Sequence, residues 1–225
     1  MEQNFLSDIE LYFSTSFSED NKSIIVLGEE ARHISKVMRH QIGEMIYITN
    51  GKGSVYNVEI SEIGKDYVAA NIKNEIKYVN RFANIFVCIP IIKNFDRLEF
   101  AIEKSVELGI TNLIFYKAER SFPKNPKLIR WQKIADAAMK QSLQSFKPNL
   151  KYIEKLYEFA GKNIVIFDQN SKNKLSGWEI KSIDTYFIFG PEGGFTEKEF
   201  KQFGNATKLR LTGNRLRSET AVVTF

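Results

Sequence analysis

The apolar pattern of this 225-residue chain changes near residue 80, and that change most constrains its fold. Before it, short apolar runs, several with the two-residue alternation of half-buried strands, occupy residues 23–28, 44–49, 54–60 and 65–73. After it, strand-like runs alternate with helical segments, which is typical of a mostly parallel sheet with helices on both faces. The pattern therefore predicts an α/β chain with a small β-barrel-like domain at residues 1–77 and an α/β domain at residues 78–225.

One helix is expected in the first domain, at residues 29–40. Its apolar face would hold Ile34, Val37 and Met38. Beside that face, basic residues recur at spacings i, i+4 and i+7, namely at Arg32, Lys36 and Arg39. The dipeptide Asn50-Gly51 predicts a hairpin turn between two strands.

The second domain shows three helix signals. Asp96, three residues before Glu99, predicts the start of a helix that ends at Gly109. Residues 129–145 are rich in helix-forming residues, and a Thr196–Glu199 pair predicts a further helix start. Strands are expected at residues 83–92, 111–118, 163–169, 185–190 and 207–212.

The scarcity of cysteine and histidine excludes several classes of chemistry. A single cysteine, Cys88, cannot form an internal disulfide, and it lies in an apolar run where a buried side chain is expected. With only His33 and His40 besides, no zinc cluster is expected, and both histidines are interpreted as surface side chains. Because the α/β part has no histidine, a Ser-His-Asp or Cys-His arrangement is unavailable there. No signal-peptide pattern or membrane-length apolar run is seen, which favours a cytoplasmic protein.

The charge is unevenly distributed. Residues 1–77 hold 8 basic and 12 acidic side chains, whereas residues 117–151 hold 9 basic and 2 acidic ones. Such a local excess is typical of a polyanion-binding surface, and equally of a lysine-rich solvated face.

The stretch FGPEGGF, residues 189–195, follows an apolar strand and holds three glycines. A phosphate-binding P-loop needs Lys and Ser or Thr directly after its last glycine, but Phe195 stands there, and the dinucleotide pattern G-x-G-x-x-G does not fit. Ligands in open α/β sheets bind beyond the carboxyl ends of strands. The loop is therefore interpreted as a backbone contact to a ligand without a phosphate cradle, with a plain strand-to-helix turn as the alternative.

A second polar loop, within residues 209–221, also follows a strand. It brings Arg215, Arg217, Glu219 and Thr220 together near a glycine, and Ser218 would cap a C-terminal helix. Together with the glycine loop, the sequences IFGPEGGFTEKEF and LRLTGNRLRSETA closely resemble the signature of the RsmE-type 16S rRNA (uracil-N3)-methyltransferases of the SPOUT superfamily. The stretches HISKVMRHQIGEMIYITNGKGSVY, DRLEFAIEKSVELGI, KAERS and RWQKIADAAMKQS match in the same order.

The resemblance implies a PUA-like N-terminal β-barrel, a C-terminal domain with a deep trefoil knot, and a homodimer. It also implies an S-adenosyl-L-methionine cofactor, whose lack of phosphate agrees with the glycine loop. Carried over by position, the implied cofactor-binding residues are Phe167, Asp168, Phe189, Gly190, Glu192, Gly193, Gly194, Leu211, Asn214, Leu216 and Arg217.

The implied reaction is methylation of N3 of a uridine in 16S rRNA of the small ribosomal subunit. A positive group near the uracil oxygens would stabilise the base anion, and Arg217 is assigned this catalytic role, with Glu192 as a base or orienting group. An ion pair of Arg217 with a carboxylate is the alternative. RNA-contact candidates are Arg32, Lys36, Arg39, Arg97, Arg120, Arg130, Trp131 and Lys133.

The chain departs from the family pattern at several points. The usual N-terminal arginines are absent, and residues 212–215 read Thr-Gly-Asn-Arg in place of Gly-Pro-Arg-Ile. Family members continue into a C-terminal helix, so the natural chain is expected to extend past Phe225. A methyltransferase acting on another RNA and a catalytically silent RNA-binding protein are the alternative functions.

Overall fold

The computed structural model describes residues 9–121, 125–178 and 182–225. Two compact units divide the chain between Asn80 and Arg81, three residues beyond the predicted boundary. The segment Met139–Lys147 belongs to the first unit, although its sequence placed it in the second domain. This assignment depends on contacts between residues far apart in the chain, and such contacts cannot be predicted from the local sequence patterns of strands and helices.

The first unit is built on one six-stranded sheet. Its strands run in the order β1-β4-β5-β6-β3-β2, parallel between β1 and β4 and antiparallel elsewhere. Their bounds are Leu11–Phe13 (β1), Ser16–Phe17 (β2), Ser23–Leu27 (β3), Met45–Thr49 (β4), Ser54–Ile63 (β5) and Tyr67–Lys77 (β6). The sheet is a curled half-barrel, in which β1 and β2 lie at opposite edges, so the predicted PUA-like β-barrel is corrected in this respect.

Strict alternation explains which face of this sheet is buried. Side chains two residues apart point to the same face of a strand, and here the members of each pair are buried together. These pairs are Ile24 and Val26, Ile46 and Ile48, Val58 and Ile60, and Val68 and Ala70. The alternation read from the sequence therefore identified this core correctly.

The predicted helix of the first unit is short and irregular. An α-helical turn, α1 (Gly28–Arg32), continues into a π-helical turn at His33–Val37. Ile34 is buried as expected, but Val37 is 65% exposed and Met38 is 39% exposed. The π turn inserts an extra residue and rotates the following side chains away from the 3.6-residue period, so the expected three-residue apolar face is wrong.

The turn at Asn50-Gly51 does more than join two strands. Gly51 and Gly53 have φ angles of +70° and +102°, and Gly53 donates its N–H to the Ser145 carbonyl at 3.0 Å. A Cβ added at Gly53 would lie 2.6 Å from the Phe146 ring and 3.1 Å from the Tyr78 carbonyl oxygen. The lack of a side chain at both glycines therefore lets the segment Met139–Lys147 pack against the turn, and a side chain at either position would displace that segment.

We expect Gly53→Ala to lower the free energy of unfolding of the first unit by about 3 kcal/mol, through overpacking and a strained backbone. Gly43→Ala is the matched control, because its φ is +91° but no atom lies within 4 Å of the added Cβ. Gly43→Ala should lower the free energy of unfolding by about 1 kcal/mol, from the strained backbone alone. Chemical denaturation followed by circular dichroism measures both, and equal losses would show that Phe146 does not pack as described.

The second unit has a six-stranded sheet in which every pairing is parallel, in the order β12-β10-β11-β7-β8-β9. The strands are Ile85–Pro90 (β7), Asn112–Tyr116 (β8), Asn149–Ile153 (β9), Asn163–Phe167 (β10), Thr185–Ile188 (β11) and Thr207–Leu209 (β12). The α-helices are Phe95–Glu107 (α2), Leu128–Gln141 (α3), Glu197–Gln202 (α4) and Ser218–Thr224 (α5), and the last three residues of α3 belong to the first unit. The predicted parallel α/β fold is confirmed.

The ends of these helices follow local rules with two differences. Thr196 and Glu199 form the predicted capping box of α4, and Gly109 after α2 has a φ of +97°. The N-cap of α2 is Asn94, whose side-chain oxygen accepts from the Asp96 N–H at 2.9 Å, so Asp96 lies inside the helix. Helix α3 ends at Gln141, four residues before the predicted end, ahead of Leu143 with a φ of +57°.

The strand order of this sheet has one topological switch point, beside β7, where the chain changes from building one side of the sheet to building the other. Strands β7, β8 and β9 follow one another toward one edge, whereas β10 lies on the other side and β11 inserts between β10 and β7.

Cys88 in β7 is fully buried, as expected, and burial raises the pKa of its thiol. Within the described ranges, no helix has the length and apolarity needed to cross a bilayer. In the same residues, no group of three or more His, Cys, Asp or Glu side chains is arranged to hold a metal ion.

Candidate functional site

A cavity of about 620 Å³ opens where the carboxyl ends of three adjacent strands meet. The loops after β10, β11 and β12 form it, with residues 167–170, 189–195, 210–212 and 214–218 together with Phe200 and Ala221 in its wall. Strands β10 and β11 are paired, and β12 pairs with the other edge of β10, so their loops leave the same end of the sheet. This is the position at which open α/β sheets bind ligands.

All eleven residues predicted to bind a cofactor line this cavity. Their role as ligands stays a prediction, but the tertiary structure does bring the three loops together. The sequence reading missed several lining side chains, among them Gln169, Asn170, Phe195, Phe200 and Arg210. Most lie within the same loops, so extending the predicted residues to whole loops would have found them; Phe200 belongs to α4.

The glycine loop has a tight backbone turn at its centre. The Gly194 N–H donates to the Pro191 carbonyl at 2.8 Å, and Gly194 has a φ of +70° that favours glycine. An added Cβ there would meet no atom within 4 Å, so the space beside the turn is open. The interpretation that backbone atoms of this loop face a ligand is consistent with that space.

Three donors from other parts of the second unit hold the carbonyls of this loop. The Tyr116 hydroxyl donates to the Phe189 carbonyl, and burial raises the pKa of that tyrosine well above its ordinary value. Arg120 Nη1 donates to the Gly193 carbonyl at 2.9 Å, and Ser218 Oγ donates to the Gly190 carbonyl at 3.2 Å. The predicted capping role of Ser218 is wrong, since Arg217 is the N-cap residue of α5 and Ser218 instead joins the two loops.

Acidic and basic side chains lie on different parts of the cavity wall. Asp168 and Glu192 contribute carboxylates from the first two loops, and Arg210, Arg215 and Arg217 contribute guanidinium groups from the third. Arg217 is exposed, and no ion pair to it is found among the described residues. The buried Glu219 instead faces Arg97, with 3.6 Å between Arg97 Nε and Glu219 Oε1. The alternative role of Arg217, an ion pair with a carboxylate, is therefore not what the structure shows.

The basic side chains predicted to contact RNA have different surroundings. In the first unit, Lys36 and Arg39 are exposed, while Arg32 forms a salt bridge with Asp66 at 2.7 Å. In the second unit, Arg130 is bound by both carboxylate oxygens of Glu99 at 2.7 Å, whereas Lys133 is exposed.

Trp131 was also expected to contact RNA, and the structure contradicts this. Its side chain is fully buried, with its ring 5.5 Å from that of Phe95 and 4.6 Å from that of Phe115, measured between centroids. The indole N–H has no hydrogen-bond partner within the described residues. Trp131 was grouped with the basic residues beside it in the sequence, but its side chain lies on the buried face of α3.

The two histidines surround a buried tyrosine of the first unit. The Tyr12 hydroxyl hydrogen-bonds with His40 Nε2 at 3.0 Å, and the His33 ring packs edge-on against Tyr12. His40 Nδ1 also lies 2.6 Å from Glu44 Oε2. Burial, with the nearby Glu10 and Glu30, raises the pKa of Tyr12 to about 12. The interpretation of both histidines as plain surface side chains is therefore incomplete, because they pack around this ring.

Comparison with known proteins agrees with this architecture. A family model described as an RNA methyltransferase domain matches residues 80–225, and one described as an RNA methyltransferase PUA domain matches residues 26–73. Ribosomal RNA small subunit methyltransferase E of Rickettsia conorii is 24% identical over 225 residues, covering 95% of this chain and 91% of that protein. The protein of the same name from Bacillus subtilis is 28% identical over 228 residues, covering 90% and 88%.

A solved structure is similar over nearly the whole chain. The crystal structure of a ribosomal RNA small subunit methyltransferase E from Neisseria gonorrhoeae bound to S-adenosyl methionine is 28% identical, with a TM-score of 0.83. The match covers 96% of this chain and 94% of that one. Since the methyltransferase model spans well over half of the sequence and the PUA model lies within the curled sheet, the chain belongs to the RNA methyltransferase family that includes these RsmE-type proteins.

Proposed function

We propose that this chain transfers a methyl group from S-adenosyl-L-methionine to RNA of the small ribosomal subunit, at N3 of a uridine in 16S rRNA. The observation that supports it is the cavity at the ends of β10, β11 and β12, which gathers all eleven residues of the implied cofactor site. The fold match to a family member solved with S-adenosyl methionine bound supports the same assignment.

The residues around the cavity fit this cofactor. Its volume of about 620 Å³ lies within the range of small-molecule and cofactor sites. Leu211, Leu216 and Phe189 offer apolar contacts to an adenine ring, and the glycine loop offers backbone donors and acceptors. Asp168 and Glu192 suit hydroxyl or ammonium groups, whereas the arginines suit a carboxylate. When bound, S-adenosyl-L-methionine supplies an electrophilic methyl group.

Two side chains are proposed to act on the base. Uracil N3 becomes a good nucleophile only when its proton leaves, and the resulting charge spreads onto the neighbouring oxygens. Arg217, exposed at the start of α5 and facing the cavity, would stabilise that anion. Glu192, exposed on the glycine loop, would accept the proton or orient the base.

The RNA is proposed to be positioned by phosphate contacts. Exposed cations such as Lys36, Arg39 and Lys133 would hold the backbone without reading the sequence. The target uridine would leave its stack to reach the cavity, as for other enzymes that modify bases. A homodimer, a trefoil knot around the cofactor and a cytoplasmic location are proposed on the family resemblance.

Salt dependence tests the charged footprint. We expect RNA affinity to fall steeply as salt increases, because each neutralised phosphate releases counterions. Lys133→Met should reduce the magnitude of the slope of log affinity against log salt by about 1, with little dependence on RNA sequence. Filter binding at several salt concentrations measures this. Tyr157→Ala is a control that removes a 61% exposed uncharged side chain, and it should leave the slope unchanged.

The function itself is tested in two steps. Calorimetry with S-adenosyl-L-methionine should show binding, and absence of binding would favour a silent RNA-binding protein. Methylation assays with small ribosomal subunits and with tRNA should then show transfer to the former alone; transfer to tRNA would favour another RNA substrate. Mass spectrometry of 16S rRNA from a deletion strain, with and without this chain, identifies the modified atom, and an N3-methyluridine that persists without the chain would contradict the proposal.

A further inference from the structure

A short segment after β8 contacts the glycine loop at several points. It comprises residues 116–121, and none of these residues lines the cavity as the structure describes it. It lies entirely within the second unit. Its contacts therefore act on the cavity indirectly, through the glycine loop and the start of α4.

The contacts fix both ends of the loop. Tyr116, buried at the end of β8, donates its hydroxyl to the Phe189 carbonyl where the loop begins. Arg120 Nη1 donates to the Gly193 carbonyl at 2.9 Å near the other end. The Arg120 stem lies close to Gly193, since a Cβ built on that glycine would be 3.1 Å from Arg120 Cβ. The absence of a side chain at residue 193 thus permits the approach.

A buried carboxylate anchors the segment itself. Glu199 is 3% exposed, and its two oxygens accept from the backbone N–H groups of Glu119 and Thr196, each at 2.7 Å. Thr196 Oγ1 in turn donates to Glu119 Oε2 at 2.6 Å. A buried carboxylate with both oxygens satisfied is a strong geometric constraint. It holds residue 119 against the start of α4, which places the adjoining Arg120 beside Gly193.

We propose that residues 116–121 form a clamp that sets the conformation of the glycine loop before the cofactor binds, with Arg120 as the positioning residue. The loop carbonyls at residues 189 and 193 accept from the clamp, and the carbonyl at residue 190 accepts from Ser218. A loop ordered in advance loses less conformational freedom on binding, which increases affinity. The identity of the ligand, S-adenosyl-L-methionine, rests on the proposed function.

The clamp gives Arg120 a different role from the RNA contact expected from its sequence. A phosphate contact would affect RNA affinity and its salt dependence, and would leave the affinity of the free protein for the cofactor unchanged. The clamp affects cofactor affinity in the absence of RNA. The two roles are therefore separable by measurement.

The test compares Arg120→Met, which keeps an apolar stem and removes the donor, with Arg120→Lys, which keeps a charged donor. Calorimetry without RNA should show S-adenosyl-L-methionine binding weakened about tenfold in Arg120→Met, the size expected for a charged hydrogen bond, and partly restored in Arg120→Lys. In methyl transfer, KM for the cofactor should rise about tenfold and kcat should change less than about threefold. Lys162→Met is the matched control: this exposed lysine precedes the amino end of β10, opposite the cavity, and the variant should bind the cofactor as the wild type does.

A second variant acts on the anchor. Glu199→Gln keeps one acceptor oxygen but replaces the other with a donor, so the N–H of Glu119 or of Thr196 loses its partner. Like Arg120→Met, Glu199→Gln should weaken cofactor binding. Faster amide hydrogen exchange at Gly194 in both Arg120→Met and Glu199→Gln is a readout that needs no ligand.

The outcomes separate the hypotheses. Wild-type cofactor affinity and unchanged Gly194 exchange in Arg120→Met would overturn the clamp, and a reduced RNA affinity alone would assign Arg120 to RNA. If the wild-type protein bound no S-adenosyl-L-methionine, the proposed function would fail. The Gly194 exchange rates would still decide whether the clamp orders the loop.

Discussion

Replacing Arg217 with alanine should reduce kcat for methyl transfer by about 100-fold to 1,000-fold, the loss seen when one preorganised group facing a developing oxyanion is removed. Arg217 is exposed at the N-cap of α5, lines the cavity and makes no ion pair within the described residues. Its charge is therefore not neutralised by a carboxylate and is available to a base anion. The measurement is single-turnover methylation of small ribosomal subunits.

Two comparisons make this result specific. Cofactor binding by calorimetry should weaken far less than kcat falls, since an interaction made mainly in the transition state alters kcat more than ground-state binding. Arg217→Lys should retain part of the activity because it keeps the positive charge without the planar fork. Arg215→Ala removes an exposed guanidinium two residues away and should reduce kcat less than Arg217→Ala does. Undiminished activity in Arg217→Ala would refute its catalytic role.

Replacing Trp131 with alanine should lower the free energy of unfolding by about 3–5 kcal/mol, the usual cost of truncating a buried aromatic side chain. For a chain of this size, that corresponds to a decrease in Tm of about 10 °C. The reason is the packing of the indole ring between Phe95 and Phe115, where it is fully buried. Differential scanning calorimetry measures the decrease.

The choice of control separates packing from RNA contact. Trp131→Phe should cost less than half as much, because the ring volume is mostly kept and an indole N–H without a partner in the described residues is removed. Ile129→Ala, in the same helix but 82% exposed, should change stability by less than about 0.5 kcal/mol. A stable Trp131→Ala protein with weakened RNA binding would instead support the sequence-based expectation.

Local patterns predicted much of the fold, and the reason is the same in each case. The paired buried residues of β3 to β6, the parallel strands β7, β8, β10, β11 and β12, and the capping box at Thr196 all depend on neighbours within a few residues. Strand β9 was missed, since Asn149–Ile153 is an edge strand in which no side chain is buried, and no continuous apolar run marks it. Val37 and Met38 were placed wrongly because a π turn breaks the helical period without a sequence signal.

The sequence by itself determined the two-part organisation, the family to which the chain belongs and the three loops that form the candidate cofactor site. It could do so because apolar periodicity and short glycine-rich or arginine-rich motifs are local properties. Only the tertiary structure decided that the three loops leave one end of the sheet, that Met139–Lys147 packs in the first unit, and that Trp131 is buried. It also decided that Arg120 holds the glycine loop and that Glu219 faces Arg97. These contacts join residues that are tens of positions apart, and the strand order that brings them together is set by packing of the whole chain.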